Sequence, residues 1–375
     1  MISNGRIADT LAQAGHDVTF LSVEGIIPTA DFPTTKLSKQ FNGTAFVENQ
    51  ETIEKLKAEK FDAIFYEQLF PHGASLGHLL EIEVHFLINS CPIQGHITSL
   101  FGIPDPTGWV PAVGNLEISD KMTFFERIQN EIEHFSLTFG YSLLFSSANK
   151  VFQNIYGPKF PDVQEIMKEK VPMMFVAVDE LIDFPRPIFH NIIYIGGLGM
   201  KTSIKSNETL KAPFDSEMIK GKKGIVYFSL GSNCDTTFLP KSVKTNLIDA
   251  FATFSDYHFI IKLEASDNYG IKYAKTKSNI FVTNWAPQTL LLQHPRLKLF
   301  FTLGGYNSLL EVANAGIPVL VMPMMYDQTR NGQVVERNGW GKVLNKMKLL
   351  EGKENLVKLL NEMLNNEKFV LLYLF

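Results

Sequence analysis

Short runs of β-branched and aromatic residues alternate with amphipathic helical stretches along nearly the whole chain. That alternation restricts the fold to an α/β class built on parallel sheet. The second half is the clearest. GIVYFSL (224–230), YHFIIKL (257–263), NIFVTN (279–284), LKLFFT (297–302) and PVLVMPM (318–324) are almost wholly apolar, as fully buried parallel strands require. Helices are predicted between them near 240–254, 288–294 and 307–315. A last amphipathic helix carries Leu356, Leu359, Leu360, Met363 and Leu364.

The first half repeats the pattern less regularly. A helix with Ile7, Ala8, Leu11 and Ala14 on one face stops at Gly15, where a left-handed cap suits glycine. The strand VTFLS (18–22) follows, then a helix at 51–60, a strand DAIFYE (62–67), a helix at 75–82 and the apolar run VHFLINS (84–90). Residues 105–165 read as long loops with one helix near 121–139 that lines an apolar cleft, and NIIYIGG (191–197) closes the half. Folds of this class usually open on a strand, so a chain that opens on a helix predicts a strand upstream of Met1. A chain of 375 residues is long enough for two cores. The polar, poorly periodic stretch 200–223 divides it into a first domain, 1–199, and a second, 224–375.

Composition narrows the function classes. With 35 basic and 39 acidic residues the net charge is −4, and no basic face for tracking phosphates is expected, so nucleic acid is excluded as a partner. Cys91 and Cys234 alone support neither a disulfide framework nor a cysteine-based zinc site. The N-terminal MISNGRIADTL lacks the pattern of a signal peptide. The C-terminal FVLLYLF (369–375) is far shorter than the roughly 20 residues that span a bilayer. The chain as written therefore reads as soluble. Two sequons, Asn42-Gly43-Thr44 and Asn207-Glu208-Thr209, are tripeptides short enough to recur by chance and assign no compartment.

Ligands of open α/β sheets bind beyond the carboxyl ends of the strands. In the second domain those ends carry Gly231-Ser232-Asn233, Trp285-Ala286-Pro287-Gln288, Leu303-Gly304-Gly305-Tyr306-Asn307-Ser308 and Met325-Tyr326-Asp327-Gln328. Gly304 and Gly305 follow a strand and open a helix, whose free N–H groups suit a phosphate. Asn307 and Ser308 add side-chain donors, and Glu311 lies one turn on from Asn307, where a carboxylate accepts from two ribose hydroxyls. Trp285 offers a flat platform for a base. Asp327 and Gln328 are placed to take sugar hydroxyls. The histidines His72, His78 and His85 match no metal spacing and read as loop or core residues, and His16 belongs to a turn.

The segment Trp285–Gln328 resembles the donor signature of the animal UDP-glucuronosyltransferase and UDP-glucosyltransferase family, nearest to invertebrate members. Weaker likenesses at 5–21, 120–130, 183–197 and 226–233 extend it over most of the chain. The resemblance implies a GT-B fold, two Rossmann-like domains with parallel sheets facing across a cleft. It further implies inverting transfer of a hexosyl or glucuronosyl group from a UDP-sugar to a small lipophilic acceptor, with no cofactor and no metal. Carried over by position, Trp285 stacks on uracil, Gln288 contacts the nucleoside and Glu311 holds ribose. Ser232, Asn307, Ser308, Gly304 and Gly305 serve the phosphates, and Asp327 and Gln328 the sugar. Glu67 takes the place of the carboxylate that orients the catalytic histidine, and that histidine's own position falls upstream of Met1. Homo- or hetero-oligomers with family members and residence at the endoplasmic reticulum membrane or lumen belong to the same implication, although the chain as given has neither the family's signal peptide nor its membrane anchor.

One departure stands inside the signature. Leu303 occupies the position of the family's phosphate-binding histidine and cannot donate a hydrogen bond. It motivates an alternative reading, a non-catalytic UDP-sugar-binding relative or a partner of an active family member. A UDP-sugar epimerase would not need the Phe-rich first domain, and a nicotinamide dehydrogenase would need a Gly-x-Gly-x-x-Gly that follows no strand here.

Overall fold

A computed structural model describes residues 2–24, 38–42, 49–70, 72–200, 209–232 and 234–366, with the backbone alone at 2–4, 20–24 and 38–42. Contacts divide the chain into two compact units, Met1–Met200 and Lys201–Phe375.

The first unit runs α1 (Ile2–Gln13), β1 (Phe20–Glu24), β2 (Ser38–Asn42), α2 (Gln50–Ala58), β3 (Ala63–Glu67), α3 (His72–Leu79), β4 (Val84–Asn89), α4 (Gly95–Phe101), α5 (Phe124–Tyr156), α6 (Val163–Lys170), β5 (Met173–Val176) and β6 (Ile192–Tyr194). Strands β3 to β6 form a four-stranded parallel sheet in sequential order. Aromatic side chains tie neighbouring strands together, with Phe65 4.7 Å and Phe175 5.7 Å from Phe86 between ring centroids. The expected first strand is shifted to begin at Phe20, and it pairs in parallel with β2, for which no strand was predicted, in a separate two-stranded sheet. Gly43 and Thr44 of the first sequon, and Asn207 and Glu208 of the second, lie outside the described residues.

Two helices depart most from the sequence reading. Helix α3 starts at His72 and ends before Leu80 instead of covering 75–82. The Ile82 N–H bonds to the Gly77 carbonyl and the Glu81 N–H to the His78 carbonyl, while Glu81 takes φ +58°. This six-to-one closure sends the buried Ile82 side chain back onto Ile53 and Leu80. Helix α5 is 33 residues long where loops and a shorter helix were expected. Its start is set by a capping box, Thr123 accepting from the Glu126 N–H and Glu126 from the Thr123 N–H. Past Leu137 its apolar residues occupy every side of the helix, so no single period marks its continuation. Strand β5 was also missed, since four residues between a helix and a long irregular stretch give too short a run to stand out.

The second unit runs α7 (Phe214–Glu217), β7 (Gly224–Ser229), a 3-10 turn (Thr236–Phe238), α8 (Lys241–Ala252), β8 (Tyr257–Lys262), α9 (Asn268–Ala274), β9 (Ile280–Thr283), α10 (Gln288–Leu292), β10 (Leu297–Thr302), α11 (Tyr306–Ala315), β11 (Val319–Val321), α12 (Gln328–Arg337), β12 (Gly341–Val343), α13 (Lys348–Glu351) and α14 (Glu354–Asn365). The sheet is parallel with order β12-β11-β10-β7-β8-β9. Counted within the unit, this is 6-5-4-1-2-3, the doubly wound order whose direction reverses between β7 and β10. Every residue of β7 and β8 is buried. Tyr227 of β7 stacks on Phe300 of the neighbouring β10 at 5.0 Å, and Phe251 of α8 packs on Phe259 of β8 at 4.7 Å.

Part of the polar stretch before β7 is bound to this unit. Glu217 Oε2 lies 2.7 Å from His258 Nε2 in a buried pair. Arg296 donates to the carbonyls of Met218 (2.9 Å), Lys220 (2.9 Å) and Gly221.

Candidate functional site

The reversal point between β7 and β10 is where a doubly wound sheet opens a crevice, and both strands leave it through glycine turns. After β7, Gly231 adopts φ +71°, and its N–H bonds to the Ser229 hydroxyl at 3.2 Å, leaving Ser232 exposed. After β10, Gly304 adopts φ +85°, and a Cβ there would come within 2.5 Å of Val321. Any side chain at Gly304 is excluded both by conformation and by space. Asn331 on α12 donates to the Gly304 carbonyl at 2.9 Å and fixes the turn from beneath.

Leu303 sits between the two turns. Its methyl carbons lie 3.3 Å from where a Cβ would stand at Gly231 and at Gly305, and the side chain is 7% exposed. The position for which the resemblance leads one to expect an imidazole is thus an apolar plug joining both turns. Helix α11 begins beside it with Gly305 as N-cap and no side-chain cap, and its N-terminus turns the partial positive end of the helix dipole toward the crevice.

The end of β9 supplies the next group. Trp285 is 65% exposed, which a tryptophan serving the core would not be. Its backbone is pinned by Thr283, whose hydroxyl donates to the Trp285 carbonyl at 2.6 Å. Three residues on, Gln288 Nε2 donates to Glu311 Oε2 at 2.7 Å and to Ser308 Oγ at 3.2 Å. The structure therefore brings Gln288, Ser308 and Glu311 into one polar cluster on the first turns of α10 and α11, with the exposed indole on the same segment. Asn307, partly buried, lies on the same first turn of α11.

Lys262, which the sequence reading passed over, joins these parts. It is the one lysine in the mostly apolar, fully buried β8, a signal that could have singled it out. Its Nζ donates to the Gly231 carbonyl at 2.7 Å and stands 5.6 Å from the Trp285 ring centroid, within cation–π reach.

Beyond β11 the loop is held tightly. Gln328 is buried, and its Oε1 accepts from the N–H groups of Met324 (2.9 Å) and Met325 (3.0 Å). Asp327 Oδ2 accepts from Asn331 at 2.7 Å. Just before them Tyr326 takes φ +56°, a strained conformation for a tyrosine, with its side chain exposed.

In the first unit Glu67 stands at the carboxyl end of β3. Its Oε1 accepts from the N–H groups of Gln68 (3.0 Å) and Ser90 (3.2 Å), and its Oε2 from the Ser90 hydroxyl. Burial pushes its pKa up, against the pull of the Ser90 hydrogen bonds. Two histidines nearby are held neutral. His85 is fully buried against the Ile82 carbonyl at 3.1 Å, and His96 stacks on Tyr141 at 3.9 Å; burial pushes each down to about 4. His134 is the opposite case, raised by its hydrogen bond to Asp105 at 2.6 Å, a carboxylate that also pairs with Arg186 at 3.0 Å. Among the described residues no group of three or more His, Cys, Asp or Glu is arranged to hold a metal ion, and no helix is long and apolar enough to cross a membrane.

Two Rossmann-like parallel-sheet units in one chain define the GT-B class of glycosyltransferase folds. Solved structures agree on the fold. The chain aligns with the glycosyltransferase of kitacinnamycin at TM-score 0.57 and 18% identity, covering 84% of this chain and 72% of that one, and with the spinosyn forosaminyltransferase SpnP at 0.55 and 14%, covering 84% and 70%. The family follows from sequence. The model of the "UDP-glucoronosyl and UDP-glucosyl transferase" family matches residues 5–371. A Caenorhabditis elegans protein provisionally named UDP-glucuronosyltransferase ugt-46 is 36% identical over 99% of this chain and 77% of its own length. Human UDP-glucuronosyltransferase 1A6 is 26% identical over 88% of this chain and 58% of its own. The chain belongs to the UDP-glucuronosyl and UDP-glucosyl transferase family.

Proposed function

We propose that the chain transfers a hexosyl or glucuronosyl group from a UDP-sugar to a small lipophilic acceptor, with inversion at the anomeric carbon. The observation that carries the proposal is the cluster of Gln288, Ser308 and Glu311 beside the exposed Trp285, at the mouth of the crevice between β7 and β10. Uracil stacks on the indole, Gln288 contacts the nucleoside, and the Glu311 carboxylate accepts from the ribose hydroxyls. The diphosphate lies against the first N–H groups of α11, with Ser232, Asn307 and Ser308 as side-chain donors. Asp327 faces the sugar. Gln328, its carbonyl oxygen engaged by Met324 and Met325, offers the sugar only its amide N–H groups.

In the proposed step the acceptor oxygen forms a bond to the anomeric carbon as the bond to the diphosphate oxygen breaks on the opposite face. The acceptor proton passes to a base, and Glu67 is the carboxylate that orients it. Negative charge grows on the departing UDP, where the α11 N-terminus offers oriented N–H groups and a partial positive charge. No metal or cofactor enters the step. Residence in the endoplasmic reticulum belongs to the same proposal and is supported by family membership.

Calorimetry with UDP, followed by turnover of a phenolic acceptor with UDP-glucose and UDP-glucuronic acid, tests the reading. The expected product has the β configuration at the anomeric carbon by NMR; retention of the α configuration refutes inversion, and absence of UDP binding refutes the site. Leu303 favours a second reading, donor binding without catalysis, and UDP binding with no turnover of either donor would select it.

A further inference from the structure

Four side chains from one turn of α5 hold a single loop. Asn130 is fully buried; its Oδ1 accepts from the Ala112 N–H at 2.8 Å, and its Nδ2 donates to the carbonyls of Thr107 (2.7 Å) and Val110 (2.9 Å). Glu131 accepts from the Thr107 hydroxyl, and Glu133 from the Asn115 N–H at 2.8 Å. His134 Nε2 bonds to Asp105 Oδ2 at 2.6 Å. Residues 105–115 lie in no helix or strand, so these side chains take the place of a strand partner for their backbone.

A second anchor comes from the segment after β5. Arg186 donates to Asp105 Oδ1 (3.0 Å) and to the carbonyls of Ile93 (3.2 Å) and Pro104 (3.0 Å), and Trp109 Nε1 donates to the Pro185 carbonyl at 3.1 Å. The Thr98 hydroxyl of α4 adds a bond to Asp105 Oδ2 at 2.7 Å. The loop thus shares Arg186 with the stretch after β4, which Glu67 holds at Ser90 and Gln68 holds at Gln94.

Of these fasteners the His134–Asp105 pair is the one that changes charge near neutrality, since an arginine and an amide do not. The hydrogen bond to Asp105 raises His134 above the usual imidazole value, against the effect of burial. The charged groups that act on it are Asp105 and Arg186 from the two loops and Glu131 from α5. Helix α4 meets the pair with Gly95 and Thr98, which carry no charge. His96, also on α4, stacks on Tyr141, and burial pushes it down to about 4, so it stays neutral over the same range. The contact is close: a Cβ on Gly95 would stand 2.5 Å from His134 Nε2.

We infer that residues 104–115 are a pH-sensitive strap, clipped to α5 by the His134–Asp105 pair, firm when the imidazole is protonated and looser when it is neutral. The folded value of His134 lies above the unfolded 6.5, so its hold is complete below pH 6.5 and is lost as pH rises through the folded value. A neutral imidazole still donates its Nε2–H to Asp105, and Asn130 and Arg186 keep their bonds, so the strap loosens without leaving. A charge-assisted hydrogen bond is roughly twice as strong as a neutral one, and losing that excess corresponds to about a five-fold rise in the open population.

Hydrogen–deuterium exchange of the full chain, read by mass spectrometry between about pH 6 and 8.5 and corrected for the intrinsic pH dependence of amide exchange, tests the inference. It needs neither the donor site nor any activity. Protection of peptides within 104–115 should fall about five-fold as pH rises, while that of the β4 peptide, Val84–Asn89, holds. His134→Gln keeps an N–H for Asp105 but no charge, so its strap should show the high-pH protection at every pH. Should circular dichroism show that variant unfolded, Glu131→Gln gives a second reading: removing one acidic neighbour should move the midpoint of the protection curve to lower pH. Strap protection that is flat or rises with pH overturns the proposal. So does a fall that persists in folded His134→Gln, or a midpoint that Glu131→Gln leaves in place.

Discussion

Restoring an imidazole at position 303 tests the donor site most directly. Leu303 bridges the Gly231 and Gly305 turns, with methyl carbons 3.3 Å from the hypothetical Cβ of each. A histidine there places a ring nitrogen where a methyl now stands, at the junction of the two turns assigned to the diphosphate. One hydrogen bond to a charged group contributes about 1.5–3 kcal/mol, so UDP should bind roughly 10- to 150-fold more tightly in Leu303→His. The gain should be larger at pH 6 than at pH 8, since the protonated ring adds charge. Losing a buried leucine from the same junction should cost the unliganded protein about 1–2 kcal/mol. Titration calorimetry with UDP and with uridine at both pH values reads the effect. Uridine lacks the phosphates and should be indifferent to the change. An unchanged UDP affinity, or an equal gain for uridine, would refute the placement of the diphosphate.

Trp285→Ala should change unfolding free energy by less than about 0.5 kcal/mol, because the ring is exposed, while weakening UDP binding by about 1–3 kcal/mol of stacking; a large loss of stability with intact affinity would make it a structural residue. Tyr326→Gly removes a left-handed strain of about 1 kcal/mol, partly offset by unfolded-chain entropy, so the melting temperature should hold or rise, and a clear fall would contradict the strain. Acid should destabilise the first unit before its carboxylates titrate. His85 and His96 have folded values near 4, below the unfolded 6.5, so the unfolded chain binds more protons between those limits. Each should therefore cost about 2 kcal/mol on going from pH 6.5 to 5. His134, raised by Asp105, acts in the other sense, its contribution being complete below pH 6.5 and lost as pH rises through its folded value. Urea denaturation at the two pH values reads the balance, and His96→Gln should reduce the acid loss; a flat profile would refute the burial argument.

The chain's own residues determined the parallel α/β class and the placement of Trp285, Gln288, Asn307, Ser308 and Glu311 just beyond strand ends. A continuous apolar run such as GIVYFSL has no soluble alternative to a sheet covered on both faces, and a strand followed by Leu303-Gly304-Gly305 must turn sharply into a helix. These are local constraints, and a local pattern records them. Only the tertiary structure decided the rest. The β7–β10 pairing brings together turns 73 positions apart in the chain, so the bridging of Gly231 and Gly305 by Leu303 is written in no single segment. The same holds for Lys262, whose bond to the Gly231 carbonyl joins two strands, and for Gln328, which spends its carbonyl oxygen on its own loop. Helix α5 escaped for the converse reason: with apolar residues on both sides its sequence has no dominant face, and burial of one side leaves the other to be seen only in three dimensions.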